Sequence, residues 1–545
     1  MTDALHSTPA TGTESHHHLD AVIIGAGVTG LYQLSRLLQL GFTVRLFEEG
    51  AGVGGTWYWN RYPGARFDSE SYTYGYSFSE ELLQEWDWQE HFAGQPETER
   101  YLNYVADKFD LRRHIQFNSR VVSATFDEEA HYWEIQLGDS SRVRARFLIT
   151  AVGILSAHYL PDFAGLDNFQ GDWYHTARWP QEDPDFSGKR VGVIGTGATG
   201  VQLITEIAKT VGHLTVFQRT ANYCAPLHNG PIDAETQQKI KAGYPEIFRR
   251  TRETTAAFLH DFDRRSMFDV SPQERHARFE ELWAQPGFSK WLGNFRDIMT
   301  SPEANEIFAE FVRNKIRARV TNPVVAEKLV PKDHAFGARR VPLESGYYEV
   351  FNRDNVTLVD VKASPIEQIT PTGIKTHDTE YALNVIIFAT GFDAVTGALT
   401  RIDIRGVDGQ SLKEKWTDGL RTYLGIQSAG FPNLFIATST SFCNFPRCAE
   451  MVVDWISACV QYMRERGFTR IAATPEAEDA WTEHAADLAN RSFLTRPGPN
   501  SNAWSFGTNI PGKKLTYLLY SNRAPAYRKK CDEVADKGYA GFVLQ

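Results

Sequence analysis

Two glycine-rich segments have the composition and spacing of loops that bind the phosphates of a dinucleotide. The first is Gly25-Ala-Gly27-Val-Thr-Gly30 and the second is Gly195-Thr-Gly197-Ala-Thr-Gly200, so both follow G-x-G-x-x-G. In such a loop the first glycine allows a tight turn, the second admits a pyrophosphate, and the third lets a helix pack on a strand. The free N–H groups at the start of that helix then favour the phosphates.

The residues that follow each loop predict two different dinucleotides. Glu48 ends the first unit, where a carboxylate can bond both hydroxyls of an unphosphorylated ribose, as in FAD. In the second unit Arg219 and Thr220 replace that acid. An arginine and a hydroxyl would bind a 2′-phosphate that a carboxylate would repel, so this unit is predicted to prefer NADPH to NADH. A solvated arginine is the alternative. The further residues predicted to contact this cofactor are Thr196, Thr199 and Gln202.

The elements around the loops predict an α/β fold with two Rossmann-like dinucleotide-binding domains and a helical insertion. Apolar runs at 20–24 and 43–47 flank the first loop and a helix to about residue 40. The second unit repeats this order, with strands at 190–194 and 213–217 and a helix to about residue 209. Strands are also expected at 356–359 and 384–388. Between residues 226 and 334, Arg, Glu, Phe and Trp at helical spacing predict the insertion.

Composition and charge limit the classes of partner that the protein is expected to bind. The net charge of -10 disfavours a nucleic acid or an anionic membrane, because either would bind a basic face. No apolar stretch approaches the roughly 20 residues that span a bilayer. Residues 1–19 read as a disordered tail without a secretory signal, which favours the cytoplasm. His16, His17 and His18 lack supporting ligands, so no metal site is predicted.

Five cysteines are few and odd in number, which disfavours a disulfide framework and again fits the cytoplasm. Cys443 and Cys448 have the C-x4-C spacing of some flavin-linked disulfide reductases. In those enzymes the pair follows the first glycine loop closely, whereas here it lies far beyond it. A redox function of this pair is therefore disfavoured.

Two further runs are more specific than the glycine loops. Residues Phe169–Pro180 follow F-x-G-x-x-x-H-x-x-x-W-P at every fixed position. A second run, Gly54–Asp68, reads Gly-Gly-Thr-Trp-Tyr-Trp-Asn-Arg-Tyr-Pro-Gly-Ala-Arg-Phe-Asp. With these runs the chain, from about Asp20 to its end, resembles the type I Baeyer–Villiger monooxygenases, which are flavin-dependent.

The resemblance implies that FAD and NADPH are the cofactors and that O2 and a small-molecule ketone are the substrates. The product would be an ester or a lactone. It also implies that residues 20–160 with 395–545 form the FAD-binding domain and that 161–225 with 335–394 form the NADP-binding domain. The insertion, 226–334, would then lie near the substrate cavity. The chain is expected to be a monomer or a weak homo-oligomer.

Individual roles also follow from the resemblance. Arg340 matches an active-site arginine, Asp68 a carboxylate paired with it, and Arg339 a basic residue at the 2′-phosphate. Trp504 matches a tryptophan that closes over NADP. His175 and Trp179 match residues that link the domains rather than act in catalysis. The positions that match flavin contacts are Thr56, Trp57, Arg66, Asp68, Tyr74 and Val121.

The implied chemistry explains why an arginine is needed at position 340. A flavin C4a-peroxide must remain an anion to attack a carbonyl, and it needs a fixed positive charge and exclusion of water. Arginine keeps its charge at any working pH, and a carboxylate partner makes its burial tolerable. The alternative from spacing alone is that Asp68 and Arg340 form a structural ion pair elsewhere.

The chain departs from the family pattern at 437–442, where Ala-Thr-Ser-Thr-Ser-Phe replaces a turn rich in Gly and Pro. Ser441 and Phe442 are predicted to border the substrate pocket, and the departure leaves the particular ketone open. Two other functions remain as alternatives. One is oxygenation of sulfur or nitrogen, and the other is a flavoprotein that does not oxygenate.

Overall fold

The structure is a computed structural model that describes residues 18–438, 443–498 and 503–545. Its strands are β1 (Leu19–Ile24), β2 (Val44–Phe47), β3 (Ile115–Gln116), β4 (Val121–Asp127), β5 (Tyr132–Leu137), β6 (Arg142–Thr150), β7 (Asp172–His175), β8 (Arg190–Ile194), β9 (His213–Gln218), β10 (Ala225–Pro226), β11 (Leu343–Glu344), β12 (Val356–Asp360), β13 (Ile366–Thr370), β14 (Gly373–Thr376), β15 (Glu380–Ala382), β16 (Val385–Phe388), β17 (Asp403–Arg405), β18 (Leu434–Ile436), β19 (Ile471–Ala473) and β20 (Phe542–Leu544).

Its α-helices are α1 (Val28–Gln39), α2 (Thr56–Trp59), α3 (Ser71–Tyr74), α4 (Glu80–Glu85), α5 (Gln95–Lys108), α6 (Ala198–Ile207), α7 (Ala234–Glu253), α8 (Pro272–Ala284), α9 (Ser289–Leu292), α10 (Pro302–Arg319), α11 (Pro323–Leu329), α12 (Gly397–Thr400), α13 (Leu412–Lys415), α14 (Phe445–Arg466), α15 (Pro475–Asn490) and α16 (Ala524–Asp536). Among these helices, which cover the described residues only, none combines the length and the apolar composition of a bilayer-spanning segment.

The larger sheet places the first glycine loop at the end of an inner strand, β1. Its strand order is β17-β4-β5-β6-β1-β2-β3, and β18 pairs with the far end of β6. Strand β1 is parallel to β2 and β6, and its apolar residues are buried because elements cover both faces of the sheet. Gly25 follows β1 with φ +102°, and a Cβ there would lie 2.7 Å from the Ala151 carbonyl oxygen. Only glycine fits this turn without strain.

The second sheet repeats the arrangement around the second loop. Its order is β12-β9-β8-β16-β7, with β8 parallel to β9 and β16. Gly195 follows β8 with φ +111°, and a Cβ there would lie 2.4 Å from the Ala389 carbonyl oxygen. The two loops therefore make the same turn, each against the end of the neighbouring parallel strand of its own sheet, β6 for Gly25 and β16 for Gly195. The predicted α/β fold with two Rossmann-like units is confirmed.

The chain crosses between the two sheets twice, and the crossings pair with each other. The first linker runs from β6 to β7 and the second from β16 to β17. The Tyr159 amide donates to the Gly391 carbonyl at 2.9 Å, and the Asp393 amide donates to the Ala157 carbonyl at 2.8 Å. The relative position of the sheets is thus fixed by backbone bonds at the crossing.

His175, the last residue of β7, binds both linkers. Its Nδ1 accepts from the Ala177 amide at 3.1 Å, so Nε2 carries the proton of the neutral ring. That Nε2 lies 3.2 Å from the Tyr159 carbonyl and 3.2 Å from the Thr390 hydroxyl. The histidine of the Phe169–Pro180 run therefore makes contacts that join the sheets.

The insertion is helical and begins and ends at one place. Strand β10 before it pairs in parallel with β11 after it, and helices α7 to α11 lie between them. An aromatic cluster forms its core, in which Phe308 contacts Phe279 and Phe336 with ring centroids 4.8 Å and 4.9 Å apart. Buried aromatic rings thus hold these helices together.

We expect the burial of His175 to make the stability of the protein depend on pH. Burial, the neighbouring His158 and Arg178 lower its pKa to about 4, below the unfolded value of about 6.5. Between these values the unfolded chain binds a proton that the folded chain does not. Stability is therefore lost as pH falls from about 6.5 to about 4, by roughly 3 kcal/mol for this group.

Urea unfolding from pH 7 to pH 4 measures this effect with His175→Gln, because the Gln side chain can still donate a hydrogen bond but does not titrate. The free energy of unfolding of the variant should fall less steeply with decreasing pH than that of the wild type. The exposed His276→Gln should match the wild-type slope. Equal slopes for all three proteins would contradict the assignment.

Candidate active site

One cavity of about 1140 Å³ lies where the two sheets meet, and both glycine loops open into it. Most of the predicted site residues share this cavity although they come from distant parts of the sequence. The predicted residues that line it are Gly25, Gly27, Glu48, Thr56, Trp57, Arg66, Asp68, Tyr74, Val121, Thr196, Gly197, Thr199, Gln202, Arg219, Thr220, Arg339, Arg340 and Trp504.

Two of the predicted residues that the structure describes are not among its lining. Gly30 and Gly200 lie behind the loops, where a Cβ would come within 1.8 Å of the Gly25 carbonyl oxygen and 2.2 Å of the Gly195 carbonyl oxygen. They allow the helices to approach the strands, as glycine at that position should. Ser441 and Phe442 lie outside the described residues.

On the first-loop side, Glu48 is held at the edge of the cavity by backbone amides. Its Oε2 accepts from the Ala26 amide at 2.7 Å and its Oε1 from the Gly50 amide at 2.7 Å. Burial raises the pKa of Glu48, and these two hydrogen bonds oppose that shift. Each carboxylate oxygen keeps a lone pair for another donor, so the group suits a ribose hydroxyl.

An aromatic group forms the adjoining wall. Trp57 donates from Nε1 to the Tyr74 hydroxyl at 2.9 Å, and Phe67 stacks on Tyr74 with ring centroids 4.1 Å apart. Burial raises the pKa of Tyr74 above its ordinary value, so the phenol stays protonated. This wall offers planar, uncharged surfaces of the kind that an isoalloxazine ring packs against.

On the second-loop side, positive charge gathers at the end of β9. Arg219 and Arg339 both line the cavity, and Arg219 helps burial to lower the pKa of Arg339 while Asp333 opposes that shift. A Cβ at Gly197 would meet no atom within 4 Å, so the backbone there is open to the cavity. Two guanidinium groups beside an open glycine loop fit a nucleotide with a 2′-phosphate.

Asp68 and Arg340 form an ion pair in the cavity wall. Arg340 Nη2 donates to Asp68 Oδ2 at 2.9 Å, with side-chain exposures of 29% for the arginine and 6% for the aspartate. Burial raises the pKa of Asp68, and Arg340 first and then Arg66 oppose that shift. The guanidinium carbon lies 4.5 Å from the centroid of the Phe288 ring. Arg340 is therefore held on two sides while part of it faces the cavity.

Gln202 and Arg66 are engaged with the protein as well as facing the cavity. Gln202 accepts from the Tyr62 hydroxyl at 2.8 Å and donates to the Arg66 carbonyl at 3.0 Å. The Arg66 guanidinium pairs with Glu90 at 3.1 Å. These contacts join helix α6 of the second unit to the Gly54–Asp68 run of the first.

Trp504 stands in a short 3₁₀ turn, Trp504–Phe506, at the rim of the cavity. Its partly buried ring packs against an apolar cluster that includes Ala394, Leu518 and Leu519. The turn brings an aromatic ring next to both linkers between the sheets.

Several lining residues were missed by the sequence prediction, namely Phe258, Phe288, Cys443 and Phe445. The aromatic-rich insertion was the available signal for the first two, but it does not tell which rings face inward. Cys443 and Cys448 form a disulfide, while Cys224, Cys459 and Cys531 are free and buried. The sequence analysis did not predict this bridge, and a single bond between near neighbours is not the disulfide framework that the cysteine count disfavours.

The two diagnostic runs contact each other. The Trp179 amide donates to the Trp59 carbonyl at 3.2 Å, and the Arg178 guanidinium lies 4.0 Å from the Trp59 ring. Trp59 and Arg178 line the cavity, whereas Trp179 is buried behind them and packs the two units together.

Comparisons with known proteins agree with this site. The flavin-binding monooxygenase-like family model matches residues 20–226. A Pseudomonas putida protein, 2-oxo-Delta(3)-4,5,5-trimethylcyclopentenylacetyl-CoA monooxygenase, is 48% identical over 96% of this chain and 98% of its own. A Baeyer-Villiger monooxygenase of Pseudooceanicola batsensis is 42% identical over 96% of each. The crystal structure of OTEMO in complex with FAD and NADP aligns with a TM-score of 0.93 and 48% identity, covering 97% of this chain and 99% of that one.

Two glycine loops that open into one cavity, together with these full-length matches, define a flavin-binding monooxygenase. Within that class the chain belongs to the Baeyer–Villiger monooxygenases. Its cofactors are FAD and NADPH, and it oxygenates a ketone to an ester or a lactone.

The positive charge near the second loop predicts a loss of selectivity in Arg219→Ala. A hydrogen bond to a charged group contributes about 1.5–3 kcal/mol, so the ratio of kcat/KM for NADPH to that for NADH should fall about 10- to 100-fold. Steady-state oxidation of both coenzymes measures it. Arg353→Ala, at an exposed arginine, is the matched control and should keep the wild-type ratio. An unchanged ratio in Arg219→Ala would exclude a 2′-phosphate contact.

Proposed function

We propose that Arg340 is the residue that stabilises negative charge during oxygenation of the ketone and that Asp68 holds it in place. The ion pair in the cavity wall carries this proposal, because it joins a buried carboxylate to a guanidinium that is partly open to the cavity. When bound, FAD and NADPH would supply the reducing equivalents and the activated oxygen.

The geometry supports a fixed orientation of the guanidinium. Asp68 takes one edge of the fork and Phe288 covers its face, while the Asn222 side chain donates to the Arg340 carbonyl at 3.0 Å. Among the described residues this guanidinium donates to no other acceptor, so its remaining N–H groups can donate to oxygen at the reacting carbonyl. A charge that is already oriented loses little to reorganisation when the reaction begins.

We also propose that the two nucleotide sites follow the two glycine loops. Residues 20–160 with 395–545 would hold FAD, with Glu48 at its ribose and Trp57, Tyr74 and Val121 near its ring. Residues 161–225 with 335–394 would hold NADPH, with Arg219, Thr220 and Arg339 at the 2′-phosphate. The supporting observation is that both loops open into one cavity with carboxylate on one side and guanidinium on the other.

The substrate would bind against the apolar wall of Phe258, Phe288 and Phe445, across from the polar nucleotide sites. This favours an apolar ketone whose carbonyl is the single polar group to reach Arg340. A panel of linear, cyclic and bulky ketones, read by mass spectrometry of the products, would define the class.

We further propose that the protein works in the cytoplasm as a monomer or a weak homo-oligomer. In the part of the chain that the structure describes, only five large apolar side chains are exposed, and so few exposed apolar groups favour weak self-association. They are Trp173, Phe268, Val324, Leu515 and Val543. Sedimentation velocity at increasing concentration tests the state of association.

Arg340→Ala tests the central role. Removal of one preorganised donor for a developing negative charge costs about 10²- to 10³-fold in rate, so ester or lactone formation should fall at least that far. NADPH should still reduce the bound flavin, and the electrons should appear as H2O2. Product chromatography, stopped-flow absorbance and a peroxide assay measure the three quantities.

Two comparison variants sharpen this test. Arg340→Lys keeps the charge but lacks the planar fork, so it should recover only a small part of the oxygenation. Arg190→Ala, at an exposed position, should behave as the wild type. Ester formation by Arg340→Ala at the wild-type rate would overturn the assignment.

A ketone and a thioether of matched size separate carbonyl oxygenation from oxygenation of sulfur. Attack on a carbonyl places negative charge on oxygen, whereas oxidation of a thioether does not need a guanidinium for that charge. Arg340→Ala should therefore lose much more activity on the ketone than on the thioether. Equal losses on both substrates would place Arg340 in an earlier step that they share.

A further inference from the structure

Lys513, which is not one of the predicted site residues, makes close contacts with the second linker between the sheets. Its ammonium group binds Asp393 Oδ1 at 2.5 Å and the Ala394 carbonyl at 3.2 Å. The two side chains are only 18% and 22% exposed. Close by, Asn509 donates from Nδ2 to the Phe392 carbonyl at 2.6 Å. All three acceptors belong to the second linker between the sheets.

The same lysine supports the turn that carries Trp504. Its methylene groups pack against Gly507, where a Cβ would lie 2.9 Å from Lys513 Cδ. The Leu518 amide donates to the Ser505 carbonyl at 2.8 Å, which closes residues 505–518 into a loop. Lys513 therefore touches the Trp504 turn through its stem and the linker through its charge.

Burial decides how much this ion pair can constrain the loop. The neighbouring Lys514 pairs with Asp418 at 3.3 Å, but these side chains are 53% and 88% exposed, so their attraction is screened by water. Asp393 and Lys513 are mostly withdrawn from water, and either charge alone would be costly to bury. The loop can leave the linker only when both charges become hydrated again.

We propose that Lys513 and Asp393 are positioning residues that hold Trp504 over the cavity by tying its loop to the second linker. This rests on the proposed NADPH site at the second glycine loop. Because this linker connects the two sheets, the pair couples their relative position to the seating of Trp504. Loss of the pair leaves the cofactor contacts of the two glycine loops in place but lowers the fraction of molecules in which the loop that carries Trp504 is seated.

Lys513→Met tests the proposal, because Met keeps most of the stem and removes the charge. Hydrogen–deuterium exchange of residues 503–518 should become faster, and NADP+ should no longer slow it to the wild-type extent. The Kd for NADP+ should rise about tenfold, in proportion to the loss of seated loop. The first reduction of the flavin by NADPH should stay within about twofold of wild type.

The coupling of NADPH use to oxygenation gives a separate readout. In the uncoupled reaction, NADPH, a proton and O2 become NADP+ and H2O2, so released H2O2 per NADPH should increase several-fold. Lys514→Met is the matched control, since it removes an exposed lysine one residue away, and it should match the wild type in every assay. Lys513→Arg keeps the charge and should restore much of the coupling.

Asp393→Asn and the exchange Asp393→Lys with Lys513→Asp complete the design. Asp393→Asn should reproduce the defects of Lys513→Met. The charge-swapped double variant should recover part of the lost protection against hydrogen–deuterium exchange, so the pair can be judged even if one variant folds poorly. The proposal would be overturned if hydrogen–deuterium exchange, NADP+ affinity and H2O2 release were all unchanged in both Lys513→Met and Asp393→Asn. The exchange and affinity measurements need no ketone, so they decide it even if the proposed role of Arg340 fails.

Discussion

The ion pair between Asp68 and Arg340 constrains the arrangement of the whole active site. A carboxylate that is 94% withdrawn from solvent needs a cation next to it, and here that cation comes from 272 residues away, beyond the insertion. The pair therefore forms only when the Gly54–Asp68 run and the return from the insertion meet at one wall. Gln202 adds a second bond across the same boundary through the Arg66 carbonyl.

The contacts of His175 explain why a run that only partly borders the cavity identifies the enzyme class. Its two ring nitrogens are used on the Ala177 amide and on both linkers, while Trp179 and Arg178 contact Trp59 of the other run. These residues set how the two sheets face each other rather than how electrons move. Transfer between two cofactors depends on that placement, so a strict sequence requirement at the boundary is reasonable.

The sequence predicted the parts of the site that local geometry dictates. Gly25 and Gly195 stand at turns that admit only glycine, and a short apolar strand ends directly before each of them. For that reason the two Rossmann-like units and the cavity-lining loops could be placed in advance. The pairing of Asp68 with Arg340 came from family resemblance, and the structure shows the contact itself.

Other contacts of the site leave no pattern in the sequence from which they could be predicted. Phe288 covers Arg340, Gln202 bridges the units, and Lys513 reaches Asp393, but each contact joins residues that are far apart in the chain. Spacing arguments work over one helix turn or one strand, so they cannot select which of many aromatic or charged residues meet across a cavity. The Cys443–Cys448 bridge was missed for a different reason. The number of cysteines indicates whether a network of disulfides is expected, but it does not predict a single local bond.

The pairing of β10 with β11 has a consequence for how such enzymes diversify. Because Ala225 lies opposite Leu343, the helical insertion leaves its parent unit and returns to it at the same point. An exchange of residues 227–334 would replace Phe258 and Phe288 of the cavity wall while β8, β9, their phosphate loop, Arg339 and Arg340 stay unchanged. The insertion can thus evolve as a cassette, and new ketone preferences can arise without rebuilding the electron-transfer machinery.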